Sequence, residues 1–339
     1  MKTLKKIIFP LTLFPISNQI SAQKKDSIPQ KVVAFVTDKF PQARDLNVEF
    51  TQLTPYQLSP KLPGADLPDN KVKEFQQLKA NANIYLIKNR KWMLSTSLNY
   101  KLTHIETENK WSVIPDSHYN KDNFHYHSES LSLTRFAKLF NKIAVYSATA
   151  SVDGSEEHFE RFRGMLTGSL VLKADANTKI TVGLAVMIDP TVQIPVLPIV
   201  TYEHTFNNGW VADILLPKKI LLRKNLLKNG RISFGTELDM TNFYLYPTGK
   251  TYEYRQVEIN SGAIYEQKMG ANFIGTLKTG LRATTLSRVF EKTASFNDFV
   301  FEANSKPSFY FNVGISYNPF VREWRAGREL LLCVCVFSI

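Results

Sequence analysis

His125, His127 and Glu129 bring two imidazoles and a carboxylate into five consecutive residues. In an extended chain, residues two apart share a face. The spacing therefore turns all three to one side, where they could hold a metal ion. A tight site needs three or four ligands, steadied by further hydrogen bonds. His204, after Glu203, is a further candidate if the strands converge. The face continues into Leu131 and Leu133, so the trio reads as solvated polar residues at the wet end of an apolar strand face, and no metal site is assigned. Ser128 falls on the opposite face from both histidines. The serine–histidine pair that barrel lipases place two apart on one strand is therefore not formed, and no catalytic residue is assigned.

Other enzymatic patterns are incomplete. Gly249-Lys250-Thr251 imitates the end of a phosphate loop, but Tyr244 stands where the motif needs glycine. Pro247–Gly249 reads as a turn. Glu156-Glu157-His158 lacks the second histidine of a zinc-protease helix, and no nucleophile elbow occurs. The two cysteines, Cys333 and Cys335, lie in the last seven residues. Thiol nucleophiles and cysteine-held metals are thus excluded from residues 1–332, as suits an oxidising compartment. No cofactor is expected.

The elements that would position these residues are strands. From Lys179 to Asp189, Ile180, Val182, Leu184, Val186 and Ile188 share one face, while Lys179, Thr181, Gly183, Ala185 and Asp189 share the other. Comparable alternation follows Lys91, Arg231 and Pro307. Several runs reach about 10–14 residues, longer than ordinary soluble strands and long enough for a tilted bilayer crossing. Fourteen strands are read, at 46–57, 80–88, 91–105, 124–136, 142–153, 163–173, 178–189, 194–206, 209–216, 219–226, 231–245, 252–265, 270–285 and 307–318. Reading the short pair 209–226 as one excursion gives twelve. Connections on one side are short, and the long ones fall on the other, as in an up-and-down barrel. The longest, Ser59–Lys79 and Leu286–Lys306, read as loops. Asp69–Asn81 has helical composition, and Glu156–Arg161 has the length of one helical turn. The expected fold is all-β, a closed antiparallel transmembrane barrel of about 12–14 strands.

The chain divides into a signal peptide at 1–22, a periplasmic N-terminal segment at 23–45, the barrel at 46–320 and a tail at 321–339. Lys2, Lys5 and Lys6 precede a short apolar run, and Ser21-Ala22 offers a cleavage site. The tail breaks the alternation and holds both cysteines, so it reads as foreign to the barrel. Mean hydropathy is -0.19, which a barrel with a polar interior reaches as readily as a soluble protein. Formal net charge is +12 over 339 residues, of which +8 falls on 23–320. For an exported chain this points to anionic lipid or solute rather than nucleic acid. Expected partners are outer-membrane lipids and the barrel-assembly machinery, with any small-molecule solute unspecified. Lys101, Arg163, Lys173, Lys179, Glu203, Glu237, Asp239, Glu258, Lys278 and Arg282 are expected to line the lumen. Mixed charge of this kind suits either a water channel or a salt-bridged filling.

The WVADILL run of Trp210–Leu216 followed by Pro217-Lys218, the Glu237–Asp239 strand and the final SFYFNVGISYNPF strand resemble a family of bacterial outer-membrane barrel proteins known by a domain-of-unknown-function label. The resemblance spans about 40–320. It implies a barrel and an outer-membrane location, with no substrate and no functional residues to transfer. The expected function is a passive channel or a structural, surface-binding barrel. An outer-membrane lipid hydrolase and a soluble periplasmic β-protein are the alternatives.

Overall fold

Alternating faces become paired strands throughout the computed structural model, which describes residues 28–108, 122–189, 191–192, 194–226, 229–270 and 272–319. The signal peptide expected at 1–22 and the tail at 321–339 lie outside the described residues. A helix, α1 (Ile28–Lys39), and a 3-10 turn at Pro41–Ala43 come first. The strands follow as β1 (Leu46–Leu53), β2 (Tyr56–Leu62), β3 (Ala65–Asp66), β4 (Asn70–Lys88), β5 (Trp92–Thr107), β6 (Asn123–Leu139), β7 (Lys142–Gly154), β8 (Phe159–Ala174) and β9 (Thr178–Ile188). Then come β10 (Val196–Thr205), β11 (Trp210–Leu216), β12 (Lys219–Leu226), β13 (Gly230–Leu245), β14 (Tyr252–Lys268), β15 (Phe273–Glu291), β16 (Phe299–Ser305) and β17 (Ser308–Tyr317).

Fourteen of these strands form a closed antiparallel wall, each paired with its neighbours. The last meets the first with Leu46 opposite Tyr317 and Leu53 opposite Tyr310, so no sheet edge remains at closure. The short β11–β12 hairpin is two wall strands, which settles the count at fourteen rather than twelve. β2, β3 and β16 lie outside the wall and pair at its loop end, Glu302 with Lys61 and Tyr56 with Val72.

Polarity is inverted relative to a soluble core. On β9, outward Leu184 is 54% exposed while inward Thr181 is fully buried. On β17, Phe309, Phe311, Val313 and Ile315 face out, and Ser308, Asn312 and Ser316 are buried inside. A protein whose exposed face is the apolar one has lipid as its solvent.

Several sequence expectations are corrected at the loop end. From Asn70 onward, Asp69–Asn81 lies in β4 rather than in a helix, with buried Asn70, Val72 and Phe75 alternating against exposed Lys71 and Lys73. Above the wall the ordinary apolar-in, polar-out pattern returns, and its Lys, Glu and Gln content imitates a helix. Glu156–Arg161 makes no helical turn, because β8 already begins at Phe159. Likewise the two segments read as long loops are mostly strand, Ser59–Lys79 in β2, β3 and β4 and Leu286–Lys306 in β15 and β16.

Candidate functional site

The lumen is filled by charged side chains in three successive layers. At the short-turn end, α1 lies against the inner wall. Its Val32, Val33, Phe35 and Val36 pack on Met93, Phe136 and Val145 of β5, β6 and β7. The chain then crosses the barrel mouth. Lys39 reaches Asp213 at 2.7 Å and also pairs with Glu203. Lys179 and Arg223 each approach Glu203 to 2.7 Å. Arg231 holds Asp38 at 2.9 Å, and the fully buried Arg44 binds Glu266 at 2.6 Å and Ser316 at 2.7 Å. Within the segment 23–45, the described residues from Ile28 onward form a plug tied to β9, β10, β11, β12, β13, β14 and β17.

The middle layer joins opposite walls. Gln77 of β4 donates to Thr103 and, across the lumen, to Thr241 of β13 at 3.1 Å. Lys79 meets Asp239 at 2.5 Å, Lys278 meets Glu237 at 3.0 Å, and Arg282 meets Glu258 at 3.2 Å. The third layer centres on Glu253, which receives Arg161 at 2.7 Å, Arg255 at 2.6 Å and Arg163 at 3.2 Å. Arg163 also binds Asp153 and Asp189, and the Tyr126 and Tyr244 hydroxyls donate to Asp153. An apolar cap of Phe124, Phe243, Leu245, Tyr252, Val289 and Phe301 closes the loop end, with Phe124 stacked on Phe243 at 4.1 Å.

Buried charges are tolerable when paired and hydrogen-bonded; the charges named here are ion-paired, although Gln77 Oε1, Glu258 Oε2 and Arg282 Nη1 make no hydrogen bond. A cavity in the middle layer leaves ≈ 40 Å³ for the centres of water molecules. That is room for a few waters. Its lining includes Lys79, Glu237, Asp239, Lys278 and Arg282.

Of the residues expected in the lumen, Lys101, Arg163, Lys179, Glu203, Glu237, Asp239, Glu258, Lys278 and Arg282 sit on the inner wall. Lys173 is placed elsewhere. An irregularity between Val171 and Lys173 shifts the register, so Lys173 lies opposite the outward Ile180 and pairs with Asp175 at 3.0 Å in the exposed turn. Strict alternation cannot foresee such a bulge. The sequence reading missed Lys39, Arg44, Asp153, Asp213, Arg231, Glu253 and Glu266. Parity with Glu258 marks Glu266 and parity with Glu237 marks Arg231. No periodicity marks the plug.

The wall is notched beside β11 and β12. Beyond Val200 opposite Leu216, β10 has no β11 partner, and beyond Lys219 opposite Glu237, β13 has no β12 partner. In lipid such open edges are costly. Thr205 and Pro195 both bond toward β9, so the even-numbered β10 residues point to the notch. Pro198, with no N–H to leave unpaired, takes one of those positions. On the facing edge, the Met240 carbonyl accepts from Lys101 at 3.1 Å, and its N–H donates to Asp239. The upper part of β13 turns inward there and supplies Thr241 and Tyr244 to the inner layers.

His125 and His127 are on the outer face. The Tyr100 hydroxyl lies 2.8 Å from His125 Nδ1, and His127 meets the Phe159 ring edge-on at 5.1 Å. Glu129 is opposite Leu98. The three do not converge. Ser128 is inside, accepting from Asn99 at 3.3 Å. Pro247–Gly249 is a 3-10 turn, and Lys250 pairs with Glu291 at 3.2 Å.

No family model matches the chain. No curated protein matches it either. Among solved structures, it is similar to an outer membrane channel from Pseudomonas putida F1, with 8% identity and a TM-score of 0.32 over 80% of this chain and 95% of that one. It is also similar to the transport unit of the autotransporter AIDA-I from Escherichia coli, with 11% identity and a TM-score of 0.28 over 86% and 100%. The outer membrane protease OmpT from Escherichia coli matches with 8% identity and a TM-score of 0.26 over 80% and 96%. These values assign neither function nor residues.

Proposed function

We propose that this chain is an outer-membrane barrel whose lumen is sealed by its own side chains, and which works as a structural or surface-binding barrel rather than as a standing passive channel. The filled lumen carries this reading: three layers of paired charge, a helical plug at one end and an apolar cap at the other. A passive pore needs a water path lined by charge that is free to meet solutes. Here the inner charges meet each other instead. The outward apolar face and the secretory pattern of the first 22 residues support the outer-membrane location. Lipids of that membrane and the assembly machinery are the partners this reading entails. It is tested by fractionating cells and by loading the purified, folded protein into liposomes. The reading expects the protein in the outer-membrane fraction with heat-modifiable gel mobility. It also expects liposomes that do not swell in small sugars. Rapid swelling, or recovery of the protein from the soluble fraction, overturns it.

A further inference from the structure

We infer that Glu74, His104 and Glu106 form a binding site for a divalent cation of the zinc class on the outer face of the barrel, just beyond its loop-end rim. The register places Glu74 opposite Glu106 and Gln76 opposite His104 on the antiparallel pair β4–β5. His104 and Glu106 are two apart and share a face. One donor atom from each of the three residues lies within 4.8 Å of the other two. All three side chains are half-buried.

Two independent features separate this group from a chance meeting of polar residues. First, like charges directly opposite across a strand pair repel, and among the described residues no lysine or arginine forms an ion pair with Glu74 or Glu106. The register thus holds an unfavourable pair that a bound cation would turn favourable. Second, the ligand side chains are steadied from outside the ligand set. His104 Nδ1 lies 3.0 Å from Asn123 Oδ1. An amide oxygen only accepts, so Nδ1 carries the proton and Nε2 keeps its lone pair, the form in which histidine binds metal. Glu74 Oε1 accepts from the Gln76 amide at 2.5 Å. Partners of this kind orient the ligands of metal sites. His125 and His127, by contrast, spend their contacts on Tyr100 and Phe159.

One imidazole and two carboxylates, with a fourth position left for water, is a zinc-like donor set. Calcium prefers six to eight oxygens and gains nothing from His104. The site sits one residue above the Phe75–Leu53 register, at the level where the wall ends. It needs no element of the lumen.

Calorimetric titration of zinc chloride into the folded full chain in detergent tests the site, with calcium chloride as the competing ion. The expected result is one zinc per chain, with binding weakened at least tenfold in His104→Ala and in Glu106→Gln. Asn123→Ala should weaken it about 10–100-fold, as loss of a ligand's outer partner does. A His125→Ala/His127→Ala variant should bind as the wild type does. Glu106→Gln keeps the strand's shape, and its thermal unfolding without metal should be at or above wild type because the repulsion is gone. Absent zinc binding, binding unchanged in His104→Ala, or loss of binding in the His125/His127 variant overturns the inference. None of these outcomes touches the sealed-lumen reading, which liposome swelling tests separately.

Discussion

Replacing Glu203 by glutamine removes one charge and keeps the outline of the side chain. Glu203 is 7% exposed and receives Lys39, Lys179 and Arg223, the last two at 2.7 Å. In Glu203→Gln, Lys39, Lys219 and Arg223 are left with Asp213, and Lys179 loses its ion pair. The new amide also turns a donor toward cations that can only donate. Removing one partner from a buried pair costs about 3–5 kcal/mol, because the other charge stays buried. At 1.4 kcal/mol per factor of ten, the unfolding equilibrium shifts by roughly two to three and a half powers of ten. Urea unfolding of the protein folded in micelles, followed by tryptophan fluorescence, measures it. Adding Lys39→Met should recover part of the loss by removing one stranded cation, and the double-mutant cycle isolates that pair. A loss below about 1 kcal/mol, the value of a solvated pair, would refute the reasoning. It would mean that water screens the inner layers.

Leu184→Arg, on the outer face of β9, should cost about 2–4 kcal/mol of folding free energy in lipid if it lies near the bilayer midplane, read by the same unfolding assay in vesicles. Gly280→Val should lower the folded yield on heat-modifiability gels, since a Cβ at Gly280 would stand 2.1 Å from the Ser261 carbonyl oxygen of β14. Asp45, between the plug and β1, has its carboxyl pushed up to about 6 by burial, against the opposing pull of Lys88. A carboxyl whose folded pKa exceeds its unfolded value of 3.8 favours the folded state most below that value and loses this contribution as pH rises through 6. Asp45→Asn should therefore raise stability at pH 8 and leave it unchanged near pH 3.5, and an equal effect at both pH values would contradict the assignment.

The barrel was legible because lipid outside and polar packing inside force a period of two on every wall strand. Ile180 to Ile188 on β9 and Phe309 to Ile315 on β17 each state which face is which. The parity of short and long connections fitted fourteen strands or twelve, and the pairing of β11 and β12 decided between them. Legibility failed where the solvent changes. Lys71, Val72, Lys73 and Glu74 leave the membrane level, where composition imitates a helix although the chain is strand. It failed again at Lys173, where a bulge breaks parity, and at Ile28–Lys39, whose amphipathic turn carries no sign that it packs inside a barrel. The inner charges could be named from parity, but not whether they face water or each other. That depends on the barrel's width, and the contact of Gln77 with Thr241 across the lumen is a long-range fact no local pattern contains. Glu74, His104 and Glu106 were missed for the same reason. Their closeness arises from the β4–β5 register, while His125, His127 and Glu129 attracted notice through spacing along one strand.

The central claim is that paired charges close the lumen, and planar-bilayer recording of the purified full-length barrel addresses it most directly. A sealed lumen gives a silent membrane at low voltage in 1 M potassium chloride, with current appearing when the tie of the plug to the wall is cut, as in Arg44→Ala combined with Glu203→Gln. A steady conductance from the unaltered protein that scales with salt concentration would contradict it.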